Sequence, residues 1–236
     1  MTLRRVLLKL SGEALGGEAG AGVDPKVVAA YCDEIIAGVR AGLQIAVVLG
    51  GGNLFRGAAL AKAGMDRVAG DRMGMLATVM NGLALADFLR QFGIQNTLFS
   101  SIALAGVVNG YNRDEALDAL AGGSVVILVG GTGNPYFTTD TAACLRGIEL
   151  QVDSVLKGTN VDGIYDDDPR KNPNAKKFSE ITYDEVLNRK LGVMDLTAIT
   201  LCSENAMPLV VFRASQQGAL VSLANGEVVG TRVTAS

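Results

Sequence analysis

Neither histidine nor tryptophan occurs among the 236 residues, and cysteine is confined to three positions. The missing histidine excludes Ser-His-Asp and Cys-His nucleophile pairs, histidine-ligated zinc and histidine acid–base work. Chemistry in this chain must rest on lysine, arginine, carboxylates, hydroxyls, backbone dipoles or a bound metal. Charge is scarce as well: Asp, Glu, Lys and Arg make up 19%, with a formal net charge of −3. A pI near 5.1 argues against nonspecific nucleic-acid binding, which needs a basic face to displace counterions. Cys32, Cys144 and Cys202 are far apart and form no CxxC pair, so buried reduced thiols in a reducing cytosol are expected. Long apolar runs are absent too. Ile45–Leu49 and Val125–Val129 are strand-sized, and Lys9 and Glu13 interrupt the basic-then-apolar start. Neither a membrane span nor a targeting segment is expected.

Present instead are 30 glycines and 49% hydrophobic residues, which exclude disorder and suffice for a buried core. Short apolar runs alternate with helical patterns. Arg5–Leu10, Gln44–Leu49, Ile94–Phe99, Ser124–Val129 and Val152–Leu156 read as strands buried on both faces. Asp24-Pro25 caps a helix reaching Arg40, and Arg72–Gln91, Arg113–Leu120 and Thr139–Glu149 are further helices. The alternation predicts an α/β fold, a mostly parallel sheet with helices on both faces in a three-layer αβα sandwich. Residues 158–179 read as a long polar loop. Thr182 to Glu185 forms a capping box, a helix follows Asp195, and strands are expected at Leu209–Phe212 and near Glu227–Val233. One domain over residues 1–236 is expected, with lobes at about 1–150 and 151–236.

The glycines gather where strands end: at Gly12, at Gly50 to Gly52 with Arg56 and Gly57 following, and at Gly130, Gly131 and Gly133. Ligands of open parallel sheets sit beyond the carboxyl ends of the strands, where glycine lets backbone N–H groups approach an anion. Three such loops suggest a site for two phosphorylated ligands. Neither GxxxxGK(S/T) nor a GxGxxG after a strand occurs, so P-loop kinases and Rossmann dehydrogenases are unsupported. Lys9 closes an apolar strand and reaches into such a site, or else snorkels to water. Arg56 offers a planar fork for phosphate. Asp71 opens the long helix as a ligand or an N-cap, and Asp140 lies in a first helical turn, where a macrodipole role competes. The run Asp166 to Asp168 lacks the order of a calcium loop.

Five segments come in family order. They are Lys9-Leu-Ser-Gly12; Gly50-Gly-Gly-Asn53 with Arg56; Asp71 to Gly82; Gly131 to Asp140; and Lys157 to Gly163. Together they resemble the bacterial uridylate kinases (UMP kinases), a branch of the amino-acid kinase superfamily, over nearly the whole chain. The resemblance implies ATP + UMP giving ADP + UDP in pyrimidine nucleotide synthesis in the cytoplasm, with Mg²⁺ accompanying ATP. Carried over by position, Lys9, Leu10, Ser11, Gly12, Gly52 and Arg56 would meet the ATP phosphates. Thr159, Asn160, Tyr165 and Asp168 would hold the adenosine end. UMP would lie against Gly51, Asp71, Thr132, Gly133, Asn134, Pro135, Tyr136, Phe137, Thr138 and Thr139. Lys9 and Arg56 would be the catalytic cations. The chemistry suits a chain without histidine, because the attacking UMP phosphate oxygen is already an anion.

The resemblance also implies a homohexamer, activated by GTP and inhibited by UTP. Residues Gly17, Glu18, Ala19, Gly20, Ala21 and Gly22 align with a loop linked to GTP activation, although Arg90 is the only basic residue between Arg72 and Arg113. No nucleic-acid or membrane partner is expected. Two other functions stay open: a superfamily kinase acting on a carboxylate such as acetylglutamate, and a pyrimidine-nucleotide sensor without turnover. A Ser-Lys hydrolase using Ser11 and Lys9 also survives the histidine exclusion, but leaves the glycine loops unexplained.

Overall fold

The computed structural model describes residues 2–55 and 64–235. The strands are β1 (Arg5–Leu10), β2 (Gln44–Leu49), β3 (Asn96–Ser100), β4 (Asn109–Gly110), β5 (Val125–Val129), β6 (Ser154–Thr159), β7 (Glu180–Thr182), β8 (Leu209–Arg213) and β9 (Thr231–Thr234). They form one nine-stranded sheet in the order β4-β3-β5-β2-β1-β6-β8-β9-β7. Every neighbouring pair is parallel except β8 with β9. Among the described residues the helices are α1 (Gly12–Leu15), α2 (Pro25–Arg40), α3 (Arg67–Gln91), α4 (Arg113–Ala121), α5 (Thr139–Glu149), α6 (Tyr183–Asn188), α7 (Leu196–Glu204) and α8 (Ala219–Ala224).

The alternation of side chains along β1 divides the core into two. Val6, Leu8 and Leu10 pack with Val28 and Ile35 of α2, Val79 and Leu89 of α3, and Leu220 of α8. Leu7, with Val48, Val126 and Val155, packs against Leu120 of α4, Cys144 of α5 and Cys202 of α7. This is the expected three-layer sandwich. Lys9 follows the parity of Leu7 and therefore faces the α5 side.

Helix starts follow the predicted caps. The Asp24 carboxylate accepts from Lys26 N–H at 2.9 Å with Pro25 at the first helical position, and Thr182 and Glu185 form the reciprocal capping box. Asp195 accepts from Ala198 N–H at 3.0 Å and opens α7.

Boundaries differ where local bonding overrides hydrophobic pattern. α3 starts at Arg67 rather than Arg72, because Asp66 supplies the cap, accepting from Ala69 N–H at 3.0 Å. Asp71 is therefore inside the helix and is not its N-cap. β3 starts at Asn96, since Ile94 N–H is spent on the Leu89 carbonyl at the end of α3. β6 runs on to Thr159, beyond Leu156, because Ala214 N–H continues the ladder onto the Thr159 carbonyl. The last strand is only Thr231–Thr234, as Glu227 N–H caps α8 through the Ser222 carbonyl and Gly230 turns with φ 67°. Among the described residues no helix is long and apolar enough to cross a membrane.

Candidate active site

β1 is flanked by β2 on one side and β6 on the other, and the chain leaves it in both directions. The crevice beyond the strand ends at such a reversal is where α/β sheets hold ligands. Lys9 of β1 and Lys157 of β6 are register partners, so both ammonium groups stand at one level on one face. Asp140, in the first turn of α5, meets both: Lys9 Nζ lies 2.8 Å from its Oδ1 and Lys157 Nζ 2.6 Å from its Oδ2. Lys157 Nζ also donates to the Val193 carbonyl at 2.5 Å.

These side chains are 10%, 13% and 14% exposed, so the cluster is a nearly buried net cation. Burial pushes the Asp140 carboxyl up, but the ammonium groups of Lys9 and Lys157 more than offset this and hold it below 3.8. Burial pulls the Lys157 ammonium below its ordinary value; Asp140 works against that, and the like charge of Lys9 adds to it. Oδ1 meets Lys9 as an ion pair, and among the described residues this buried oxygen accepts no other bond. Unspent positive charge at the ends of parallel strands is a preorganised receptor for a polyanion.

A cavity of about 690 Å³ opens on the two lysines. Its floor is Lys9, Ser11, Lys157 and Thr159, and its walls are the 160–170 loop and residues 189–193. Thr159 Oγ1 folds onto the Val161 backbone, Tyr165 donates to Asp162 at 2.7 Å, and Asp168 pairs with Arg170 at 3.1 Å. Lys177 and Arg213 also face Asp162, at 3.0 and 3.9 Å.

A second cavity of about 320 Å³ lies on the same sheet edge, between the Gly51–Gly52 turn, the start of α3 and the 131–139 loop. Ser11 lines the larger cavity and Gly52 the smaller, and the loops after β1 and β2 that carry them cross. A Cβ on Gly12 would strike the Gly50 carbonyl and stand 2.7 Å from the Gly52 nitrogen, so only glycine lets these loops cross. The 131–139 loop is left-handed at Gly131 (φ 57°), Gly133 (φ 80°) and Tyr136 (φ 70°). Asp71 holds the non-glycine member of that set. Its carboxylate accepts from Tyr136 N–H at 2.7 Å and pairs with Arg67 at 2.9 Å. Thr78 Oγ1 accepts from Gly130 N–H at 2.8 Å. Thr138 caps α5 and donates to Asp195 at 2.5 Å.

Of the residues expected around ATP, Lys9, Ser11, Thr159, Asn160, Tyr165 and Asp168 line the larger cavity. Leu10 is buried in the core, Gly12 forms the loop crossing, and Gly52 lines the smaller cavity instead. Arg56 lies outside the described residues. Of those expected around UMP, Gly51, Asp71, Thr132, Asn134, Phe137, Thr138 and Thr139 line the smaller cavity. Gly133 and Pro135 complete the loop without lining it, and Tyr136 is 67% exposed with Arg67 over its ring. Residues Gly17–Ala19 form a 3₁₀ turn, and Gly22 exchanges hydrogen bonds with Asn53. Three participants escaped the sequence argument: Lys157, Asn81 and the pairing role of Asp140. Lys157 falls one residue past the apolar run Val152–Leu156, so it lacks the signal of Lys9, a lysine inside such a run. Asn81 donates to the Gly50 carbonyl at 2.7 Å and pairs with Asn53, inside a helix that gives no sequence sign of it.

This crevice presents net positive charge at the ends of parallel strands, which suits α/β enzymes that handle phosphorylated ligands. The chain belongs to the amino acid kinase family, whose model matches residues 4–213. It is 60% identical to a uridylate kinase of Alcanivorax borkumensis over 98% of this chain and 92% of that one. It is 57% identical to a uridylate kinase of Pseudomonas aeruginosa, over 98% and 94% respectively. Among solved structures, UMP kinase from Bacillus anthracis superposes with a TM-score of 0.97 at 34% identity, covering 100% of this chain and 98% of that one. UMP kinase from Ureaplasma parvum gives 0.92 at 36%, covering 99% and 100%.

Proposed function

We propose that the chain transfers the γ-phosphoryl group of ATP to UMP, giving ADP and UDP, in cytoplasmic pyrimidine nucleotide synthesis. The observation that carries this reading is the pair Lys9 and Lys157 on Asp140, set beside two cavities of unequal size. ATP takes the larger, with its phosphates on Lys9, Ser11 and Lys157 and its adenosine toward Thr159, Asn160, Tyr165 and Asp168. UMP takes the smaller, against Gly51, Asp71 and the Thr132–Thr139 loop. A UMP phosphate oxygen bonds to the γ-phosphorus as the bond to the bridging β–γ oxygen breaks, and ADP leaves with that electron pair. Lys9 and Lys157 stabilise charge on the transferring group, Asp140 keeps both aimed, and Arg56 joins them by sequence resemblance.

Mg²⁺ enters as part of the ATP substrate. The ATP phosphates would hold it, and Asp140 is already paired with Lys9 and Lys157. The assembly is a homohexamer. Met73, Leu76, Met80 and Leu83 form an outward stripe on α3, 42%, 46%, 58% and 40% exposed, the kind of face a second copy covers. GTP activates and UTP inhibits. The 17–22 loop supports a regulatory link, because Gly22 is tied through Asn53 to the turn that lines the smaller cavity.

A coupled ADP-release assay across UMP, CMP, dTMP and acetylglutamate tests the acceptor. Turnover with UMP far above the others is expected. A preference for acetylglutamate selects the carboxylate kinase instead, and nucleotide binding without ADP release selects the sensor.

A further inference from the structure

Behind the 131–139 loop runs a polar chain that phosphoryl transfer itself does not require. Arg146, further along α5 from Asp140, is 9% exposed. Its Nη1 lies 2.5 Å from Glu149 Oε2, and its guanidinium stacks 3.8 Å over the Tyr111 ring. The Tyr111 hydroxyl donates to the same Glu149 oxygen at 2.9 Å. The other arm of the guanidinium, Nη2, donates to Ser101 Oγ at 3.1 Å, and Ser101 Oγ donates to the Gly131 carbonyl at 2.8 Å.

The direction of these bonds is forced. A guanidinium only donates and a carbonyl only accepts, so the single hydroxyl proton of Ser101 must face Gly131. Without Arg146 that hydroxyl is free to rotate, and the carbonyl loses a fixed donor. The loop needs such an anchor, because Gly130, Gly131 and Gly133 are all left-handed and glycine resists no rotation of its own. A nearly buried guanidinium is also poor value as a stabilising device alone, since desolvation offsets much of its pairing.

We propose that Arg146 is a positioning residue for the acceptor: through Ser101 it fixes the Gly131 carbonyl, and with it the Thr132 wall of the smaller cavity. The proposal rests on reading that cavity as the UMP site. Neither Arg146 nor Ser101 lines either cavity; their reach is through Gly131, which lines the smaller cavity and not the larger.

The test uses the full chain with Ser101→Ala, Arg146→Met, Arg146→Lys and the Ser101→Ala/Arg146→Met double variant. Rates are measured with UMP varied at saturating MgATP and the reverse, alongside calorimetric UMP binding and thermal melting. Loss of one oriented hydrogen bond is expected to raise the KM and Kd for UMP about tenfold in Ser101→Ala and Arg146→Met, with the KM for ATP within about twofold. Arg146→Lys, which keeps a cationic donor, should fall between these and the parent. The double variant should match Arg146→Met alone, because both changes cut one path. Ser101→Ala leaves the Arg146–Glu149 pair intact and carries the test if Arg146→Met does not fold. UMP and ATP constants moving together, additive losses in the double variant, or lower melting with unchanged UMP binding would each overturn the proposal. A parent protein that neither binds nor phosphorylates UMP overturns the acceptor-site reading itself, and that result needs no variant to recognise.

Discussion

The two cavities share a sheet edge but are fixed in opposite ways. In the larger one, the charges come from strands: Lys9 and Lys157 are register partners, pinned by a buried carboxylate. In the smaller one, the wall is a loop with left-handed turns, its backbone donating to Asp71 and Thr78 and accepting from Ser101. The contrast maps onto chemistry. On the proposed reading, the transferring phosphoryl group meets charge placed in advance by the strands, and the acceptor meets a wall fixed by contacts between distant segments. Changes on the sheet side should therefore act on turnover, and changes on the loop side on acceptor binding.

The strongest test removes a strand cation. Lys9→Ala should lower kcat by roughly 10²–10³-fold while calorimetry finds UMP binding largely kept. Near-normal turnover would break the assignment. Asp140→Asn comes next, leaving two buried ammonium groups without their counter-charge. It should cost about 3–5 kcal/mol in urea unfolding and lower kcat with it.

The same variant has a pH signature. Because the folded-state pKa of Asp140 lies below 3.8, its contribution is present above the unfolded value and lost as pH falls through the folded one. The stability gap between parent and Asp140→Asn should thus narrow as pH drops below 3.8, and a constant gap would refute the ion-pair origin.

On the loop side, Asp71→Asn should raise the KM for UMP about tenfold through the weakened hold on Tyr136, with the KM for ATP little changed. Equal effects on both substrates would erase the distinction between the cavities. The smallest expected effect on fold stability is at Met80→Lys, within about 0.5 kcal/mol, yet it should reduce the assembly size seen by sedimentation. Unchanged sedimentation would show that the α3 stripe is no interface.

The sheet side was also the more legible in sequence. Continuous apolar runs marked β1, β2 and β5, and Asp24-Pro25, Thr182 with Glu185, and Asp195 marked helix starts, because these signals are local. Lys9 stood out as a polar interruption. Lys157 did not, since its strand was expected to stop at Leu156, and only the ladder to β8 carries it further. The loop side resisted for a physical reason. Asp71 looked like a helix opening because nothing in a linear pattern reveals that its partner is the backbone of Tyr136. Ser101 and Arg146 likewise matter only through contacts between segments distant in the chain.

The pairing of Lys9 with Lys157 has a consequence for how the molecule is assembled. Side chains on a strand alternate, so a slip of β6 by one residue would send Lys157 to the opposite layer and bring a leucine or a glycine beside Asp140. A misregistered sheet could keep its helices, its compactness and much of its spectroscopic signature, and still be inert. Specific activity is therefore a proofreading readout for β1–β6 alignment, and it should lag behind recovered helicity in any refolding experiment where that alignment forms last.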